Sequence, residues 1–294
     1  MGYSIVVHGG AGGWEGSVQA EVLDGLRGAV ERAVTLLSAG ASASDAVVAA
    51  VVALEDDPLF NAGTGSVLNQ EGVVEMDAAV MTGHDLACGA VAALQRVRNP
   101  VLVARRVMQA TPHVLLAGEG ALRFARAHGF QDYDPLTPEA RRHYEQRATE
   151  RSAGPPGTVG AVALDRAGRL AAATSTGGRF LKLPGRVGDS PIPGAGTYAT
   201  LAAAASATGH GESLLRHLAT RSVCDLVAGG VPPQQAVARV LEHIAAASSS
   251  EAGLIAVVRD GAIGIAHGTP AMPHAWLREG NPEISARFKC AGPS

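Results

Sequence analysis

The chain has 294 residues, enough for one large domain or two. Hydrophobic residues make up 47% and charged residues 17%, which excludes a disordered chain, and a net charge of -3 supplies no field to collect nucleic acid or anionic lipid. Cys88, Cys224 and Cys290 are odd in number and far apart, which argues against a disulfide scaffold and a Cys-x-x-Cys metal site. With no membrane-length apolar run and no basic leader at the start, a soluble cytoplasmic protein is expected.

Ser4–His8 reads as a strand ending in the glycines Gly9, Gly10, Gly12 and Gly13. A helix is expected from Ser17, because Val18, Val22, Leu26, Ala29, Val30, Ala33 and Leu37 recur at helical spacing, with Gly40 placed to end it. Ser42 and Asp45 form a capping-box pattern before a second helix over Ala46–Leu54. Asn69-Gln70-Glu71-Gly72 reads as a hairpin turn between two short strand runs in residues 63–83, and another strand is expected over Gly89–Leu94. Helices follow over Val101–Met108 and Ala121–Ala127. Residues 132–151 are charged and helix-compatible. Residues 152–157, with Pro155 and Pro156, break regular structure and form the linker candidate. Strands over Val159–Leu164 and Leu170–Thr174 turn at Asp165–Gly168. Helices over Ser213–Ala228 and Pro233–Ala247 precede a final hairpin, Leu254–Val258 with Ala262–Ala266. Blocks of strands alternating with blocks of helices predict an α+β layered fold.

Several common catalytic signatures are absent. There is no Walker A lysine and no Gly-x-Ser-x-Gly elbow, and His113 and His128 are too far apart for a zincin pair. His210 and His217 can share a helix face, but without a third ligand a structural role is the simpler expectation. The glycines after His8 suit either an anion cradle or a tight turn. Thr158 is more telling. It follows Pro-Pro-Gly and starts a strand, a common place for a structural hydroxyl. A flexible linker can also hold the Gly157 carbonyl against the Thr158 hydroxyl. An N→O acyl shift and hydrolysis would then free the Thr158 amine to act as general base for its own hydroxyl. Arg186 and Asp189, three residues apart, suit a substrate carrying an α-carboxylate and an α-ammonium; the alternative is a local salt bridge of little energetic weight.

Six segments, in order from residue 8 to residue 213, are HGGAGG, LFNAGTGSVLNQEGVVEMDAAVMTG, GTVGAVALD, TSTGG, GRVGDSPIPGAGTYA and TGHGES. Together they resemble the plant-type L-asparaginase or isoaspartyl peptidase family of N-terminal-nucleophile hydrolases. Beyond residue 213 the likeness is confined to a hairpin-like pattern and Met272-Pro273. The resemblance implies an αββα sandwich, two stacked and mainly antiparallel sheets covered by helices. It implies one domain over residues 1–294, cut between Gly157 and Thr158 into an alpha subunit, 1–157, and a beta subunit, 158–294. The implied reaction is hydrolysis of L-asparagine or of β-aspartyl dipeptides.

The implied roles fall on matching positions. Thr158 corresponds to the nucleophile and Thr176 to the hydroxyl that steadies it. Arg186 corresponds to the grip on the substrate α-carboxylate, and Asp189 to the acceptor of its α-ammonium. Thr208 and Gly209 correspond to the oxyanion pair, and Asn61 lies near the nucleophile. Leu54, Glu55, Asp57, Phe60, Ala62 and Thr64 correspond to a loop that holds a structural sodium ion through backbone carbonyls. His8 and its glycines correspond to a loop that assists processing. No cofactor is implied for catalysis. Small-molecule substrates and a homodimer of processed units are expected, without nucleic acid or membrane. Two rival expectations are a glycosylasparaginase-like amidase and an unprocessed homologue that senses aspartate-like ligands.

The chain also departs from the family pattern. Thr200-Leu-Ala-Ala-Ala-Ala205 replaces polar residues and the segment to Thr208 is shortened, so altered geometry at Thr208 and Gly209 is expected. Arg179-Phe180-Leu181 replaces small or polar residues, which predicts a narrowed or recharged pocket edge. The linker before Thr158 is short for the family, which predicts slower processing or a different strained turn.

Overall fold

A computed structural model describes residues 2–14, 16–147 and 157–290; of the linker expected over residues 152–157, all but Gly157 lies outside them. Twelve strands occupy two sheets among these residues. The strands are β1 (Ser4–His8), β2 (Met76–Thr82), β3 (Cys88–Leu94), β4 (Leu115–Ala117), β5 (Val159–Leu164), β6 (Leu170–Thr176), β7 (Thr197–Ala199), β8 (Ala203–Gly209), β9 (Ala252–Val258), β10 (Ile263–His267), β11 (His274–Arg278) and β12 (Ser285–Arg287). The larger sheet has the order β12-β11-β1-β5-β6-β2-β3-β4, and the smaller β10-β9-β8-β7. Every ladder between these strands is antiparallel except β3 with β4.

The helices are α1 (Gln19–Ser38), α2 (Ala43–Glu55), α3 (Pro100–Ala110), α4 (Gly118–Ala127), α5 (Pro138–Arg147), α6 (Gly211–His217), α7 (Ala219–Ala228) and α8 (Pro233–Ser248). Strand alternation assigns each apolar residue to a layer. Ile5, Val7, Val159, Ala161, Ala163, Ala171 and Ala173 face a core shared with Val22, Leu26, Val47, Val51 and Val101 of α1 to α3. Their neighbours Val6, Val162, Leu164, Leu170 and Ala172 turn the other way and meet Ala204, Ile255 and Val257 of the smaller sheet. The opposite face of that sheet, Ala203, Ala205, Ala207, Leu254 and Ala256, is covered by Val223, Val237, Val240 and Ile244 of α7 and α8. Helix, sheet, sheet and helix are therefore stacked in that order, the αββα arrangement expected from the sequence.

Local differences from the sequence reading have local causes. Ser17 does not start α1: residues 16–18 form a 3-10 turn, and α1 begins at Gln19 without a side-chain cap. Ser42 does cap α2, its Oγ accepting from the Asp45 N–H at 3.1 Å, and the helix starts at Ala43, three residues earlier than expected. The turn Asn69–Gly72 forms, but one isolated Leu68–Val74 bridge stands where a first strand was expected. The helix expected over Ser213–Ala228 is split into α6 and α7 by Leu218, at φ 45°. Strands β4, β7, β8, β11 and β12 were not anticipated.

Candidate active site

The hairpin β5–β6 builds the centre of the site. Val159 pairs with Ser175, so Thr158, just before β5, comes alongside Thr176 at the end of β6. The Thr158 hydroxyl donates to Thr176 Oγ1 at 3.0 Å, and the Gly178 N–H donates to the same oxygen at 2.9 Å. Asn61 ties the adjacent loops together. Its amide donates to the Gly178 carbonyl at 2.8 Å, its Oδ1 accepts from Val67 N–H at 2.9 Å, and its carbonyl accepts from Gly177 N–H at 2.8 Å. Gly157 is buried in the gap between two backbones. A Cβ on Gly10 would lie 2.6 Å from Gly157 Cα, and a Cβ on Gly157 would strike the backbone N and, at 2.7 Å, the Cβ of Asn61. Glycine at both positions is thus a requirement of close approach.

His8 pairs with Gly160 across β1 and β5. Its Nε2 lies 3.0 Å from Ser206 Oγ, which lies 2.8 Å from Thr174 Oγ1. Burial pushes the imidazole down to about 3, opposed by the Thr158 backbone and reinforced by His274, so His8 is neutral at physiological pH. Thr208, near the end of β8, is buried, and its Oγ1 accepts from the Ala11 N–H of the glycine-rich loop at 3.1 Å. That leaves the Thr208 proton free to be donated. The alanine run before it does not distort this strand. Thr200 Oγ1 accepts from the N–H groups of Ala202 and Ala203 to make the β7–β8 turn, and Ala203–Ala207 are buried strand residues.

Arg186 and Asp189 converge on Gly211: a Cβ there would sit 2.7 Å from Arg186 Nη2 and 3.0 Å from Asp189 Oδ1. Asp189 is buried, and its Oδ2 has no hydrogen-bond partner among the described residues. Burial pushes its carboxyl up to about 7, against the pull of its own backbone N–H and Arg186. The sequence reading missed Glu212, whose Oε1 accepts from Arg186 Nε at 3.0 Å and lies 3.0 Å from Nη2. It lies within the TGHGES segment already singled out, three residues past Gly209.

A buried network under this loop was also missed. Both carboxylate oxygens of Glu75 accept from Gly185 N–H at 3.1 Å, and Asp77 Oδ2 accepts from Gly188 N–H at 3.1 Å. Lys182 Nζ donates to the Glu75 carbonyl at 2.7 Å. The signal was present: Glu75 and Asp77 alternate within an apolar run, and Lys182 is one of only two lysines in the chain.

The Leu54–Thr64 loop folds back on itself. Thr64 N–H donates to the Glu55 carbonyl at 2.8 Å, and a Cβ on Gly65 would lie 2.6 Å from the Pro58 carbonyl oxygen and 3.1 Å from that of Phe60. The Pro58 and Phe60 carbonyl oxygens thus crowd the Gly65 backbone, and of the two only Phe60 belongs to the set expected to hold sodium. The histidines weighed as a metal pair do not converge. His210 Nδ1 lies 3.0 Å from Ser213 Oγ, whereas the His217 ring packs edge-on against His243. No described helix is long and apolar enough to cross a membrane.

The Asparaginase family model matches residues 1–284. A plant-type L-asparaginase of Pyrococcus abyssi (strain GE5 / Orsay) is 44% identical over 307 aligned positions, covering 96% of this chain and 99% of the relative. An isoaspartyl peptidase of Escherichia coli (strain K12) is 42% identical, covering 99% of this chain and 98% of the relative. An isoaspartyl peptidase/L-asparaginase of Bos taurus is 42% identical, covering 94% and 93%.

Proposed function

The chain belongs to the Asparaginase family, and from that premise we propose that it hydrolyses L-asparagine and β-aspartyl dipeptides with Thr158 as nucleophile. The observation that carries this reading is the meeting of Thr158 and Thr176 hydroxyls at 3.0 Å, within a site that also offers a guanidinium and a buried carboxylate whose Oδ2 has no partner among the described residues.

The chain first cuts itself. Thr158 Oγ attacks the Gly157 carbonyl, the C–N bond breaks, and an ester joins Gly157 to the Thr158 side chain. Water hydrolyses the ester, leaving the Gly157 carboxylate and the free Thr158 amine in a single domain split into residues 1–157 and 158–294. In turnover that amine takes the proton of its own hydroxyl as Oγ attacks the substrate side-chain carbonyl. Thr176 steadies Oγ, and Asn61 holds the loops beside it. Arg186 grips the α-carboxylate in a planar fork, and Asp189 accepts from the α-ammonium. The Thr208 hydroxyl and the Gly209 N–H face the developing oxyanion; losing one such donor costs on the order of 100- to 1000-fold in rate. Ammonia or an amino acid leaves with the proton, and water releases aspartate. Neutral buried His8 orders the loop around Gly157 during processing.

In this reading the backbone carbonyls of Leu54, Glu55, Asp57, Phe60, Ala62 and Thr64 hold a structural sodium ion that takes no part in bond making. The reading also includes a cytoplasmic location and a homodimer of processed units, open to cell fractionation and light scattering. Its decisive test is intact mass under denaturing conditions together with ammonia release from asparagine. Wild type is expected as two fragments divided before Thr158, with ammonia released. Thr158→Ala is expected as one chain with activity reduced to background. Fragments in the Thr158→Ala protein, or ammonia at the wild-type rate, would refute it.

A further inference from the structure

Arg179 places a second guanidinium at the mouth of this site, and none of the roles above uses it. Its backbone is firmly held. Lys182 N–H donates to the Arg179 carbonyl at 3.2 Å, and Leu181 N–H to the Leu68 carbonyl at 2.9 Å. The next residue, Phe180, packs edge-on against His143 and Tyr144 of α5, with ring centroids 4.9 and 6.4 Å away. The side chain projects from this fixed base and is 57% exposed, against 16% for Arg186.

Its pairing is incomplete. Arg179 Nη1 lies 3.6 Å from Glu212 Oε2 and 3.5 Å from His210 Nε2, while Glu212 Oε1 is already engaged by Arg186. Glu212 Oε2 makes no hydrogen bond among the described residues. Two guanidiniums therefore share one carboxylate. Burial works against ionisation of Glu212, but the hydrogen bond and charge of Arg186 prevail and take it down to about 2, so it stays charged. An incoming carboxylate can complete the coordination of the outer guanidinium.

The chemistry of the reaction says which carboxylate that is. The aspartyl half of any substrate uses Arg186 for its α-carboxylate and Asp189 for its α-ammonium, both deep in the site. The leaving half lies on the solvent side of the scissile carbonyl. Asparagine leaves ammonia, which presents nothing anionic. A β-aspartyl dipeptide leaves an amino acid, whose free α-carboxylate matches the bidentate geometry of a guanidinium.

We propose that Arg179 is a specificity residue that binds the free α-carboxylate of the departing amino acid, favouring C-terminally free β-aspartyl dipeptides over L-asparagine. This inference rests on the assignment of Arg186 and Asp189 to the aspartyl half.

The test compares three substrates, β-aspartyl-leucine, its C-terminal carboxamide and L-asparagine, with wild type, Arg179→Gln and Arg179→Lys. Arg179→Gln is expected to lower kcat/KM for the free dipeptide about tenfold more than for the other two, mainly through KM, because only that substrate loses a charge-assisted contact. Arg179→Lys is expected to recover part of the loss, and wild type to prefer the free acid over the carboxamide by a similar factor. Equal losses on all three substrates, or wild-type indifference to the carboxamide, would overturn the inference while leaving the hydrolase reading intact. A wild-type enzyme that turns over none of the three would remove that reading and this inference with it.

Discussion

Asp189 shows how a single residue couples binding to stability. The fold buries its carboxyl beside Arg186 and leaves Oδ2 without a partner among the described residues, so ionisation is disfavoured until about pH 7. Only the ionised form can receive an ammonium group. As pH falls through 7 in the free enzyme, kcat/KM is therefore expected to fall, approaching tenfold per pH unit. The stability sign is opposite. A folded-state pKa raised from 3.8 means that the native state binds the proton more tightly than the unfolded chain. This contribution is fully present below about 3.8 and is lost as pH rises through about 7, up to about 4 kcal/mol. Asp189→Asn should thus abolish turnover and raise the melting temperature at pH 8.5, with the gain shrinking at pH 5.5. Thermal melts at the two pH values check this; an equal gain at both would contradict it. At this scale, chemistry on one short stretch was legible in the sequence. Arg186 and Asp189 stood out as opposite charges three residues apart, and Thr158 by its place after Pro-Pro-Gly. Glu75, Asp77 and Lys182 acquire their meaning only when β2 lies beneath a loop about 110 residues away, a pairing no local pattern announces.

The Leu54–Thr64 loop is the element that joins a helix end to the catalytic strands. Glu55 closes α2, and its buried carboxyl, pushed up to about 8 by burial, accepts from Ser175 Oγ at 2.6 Å, one residue from Thr176. Its own carbonyl accepts from Thr64 N–H, and the Pro58 and Phe60 carbonyl oxygens lie close against Gly65. The sodium ion proposed for this loop would hold it shut and stabilise the native state by mass action. Sodium at about five times its dissociation constant contributes about 1 kcal/mol, or about 2 °C for a chain of this size. The protein is expected to melt higher in sodium chloride than in N-methylglucamine chloride at equal ionic strength. Identical melting curves would exclude the ion. Elements with strong local signals were also the ones legible beforehand. The helical period of α1 and the Ser42 cap are intrinsic to their own residues. Strands β4, β7 and β12 have three residues each, and each is defined by its neighbour in the sheet. The break at Leu218 was hidden because a leucine at positive φ gives no compositional warning.

The whole molecule is threaded so that a cut before Thr158 does not divide the sheet where it divides the chain. β1, from residues 1–157, lies between β11 and β5, both from residues 158–294, while β6 of the second fragment pairs with β2 of the first. The principal core mixes Val22, Val47 and Val51 of the first fragment with Ala161, Ala163 and Ala173 of the second. Separating the fragments would break three ladders and bare six strand edges and both halves of that core, exposing backbone donors and apolar surface together. Alternating blocks of strands and helices made an α+β layered fold legible, and the family resemblance supplied the αββα order, but this interleaving was not legible, because strand order depends on pairings distant in sequence. The consequence is measurable. The processed fragments are expected to co-elute in equal amounts in native buffer, to unfold in one transition, and to part only in denaturant. Renaturation should also differ from that of the single chain left by Thr158→Ala. Two fragments must find each other, so their recovered activity should fall on dilution, whereas recovery of native circular dichroism by the single chain should be less sensitive. Elution of residues 158–294 alone in native buffer, or two separate melting transitions, would show that the fragments do not share one cooperative core.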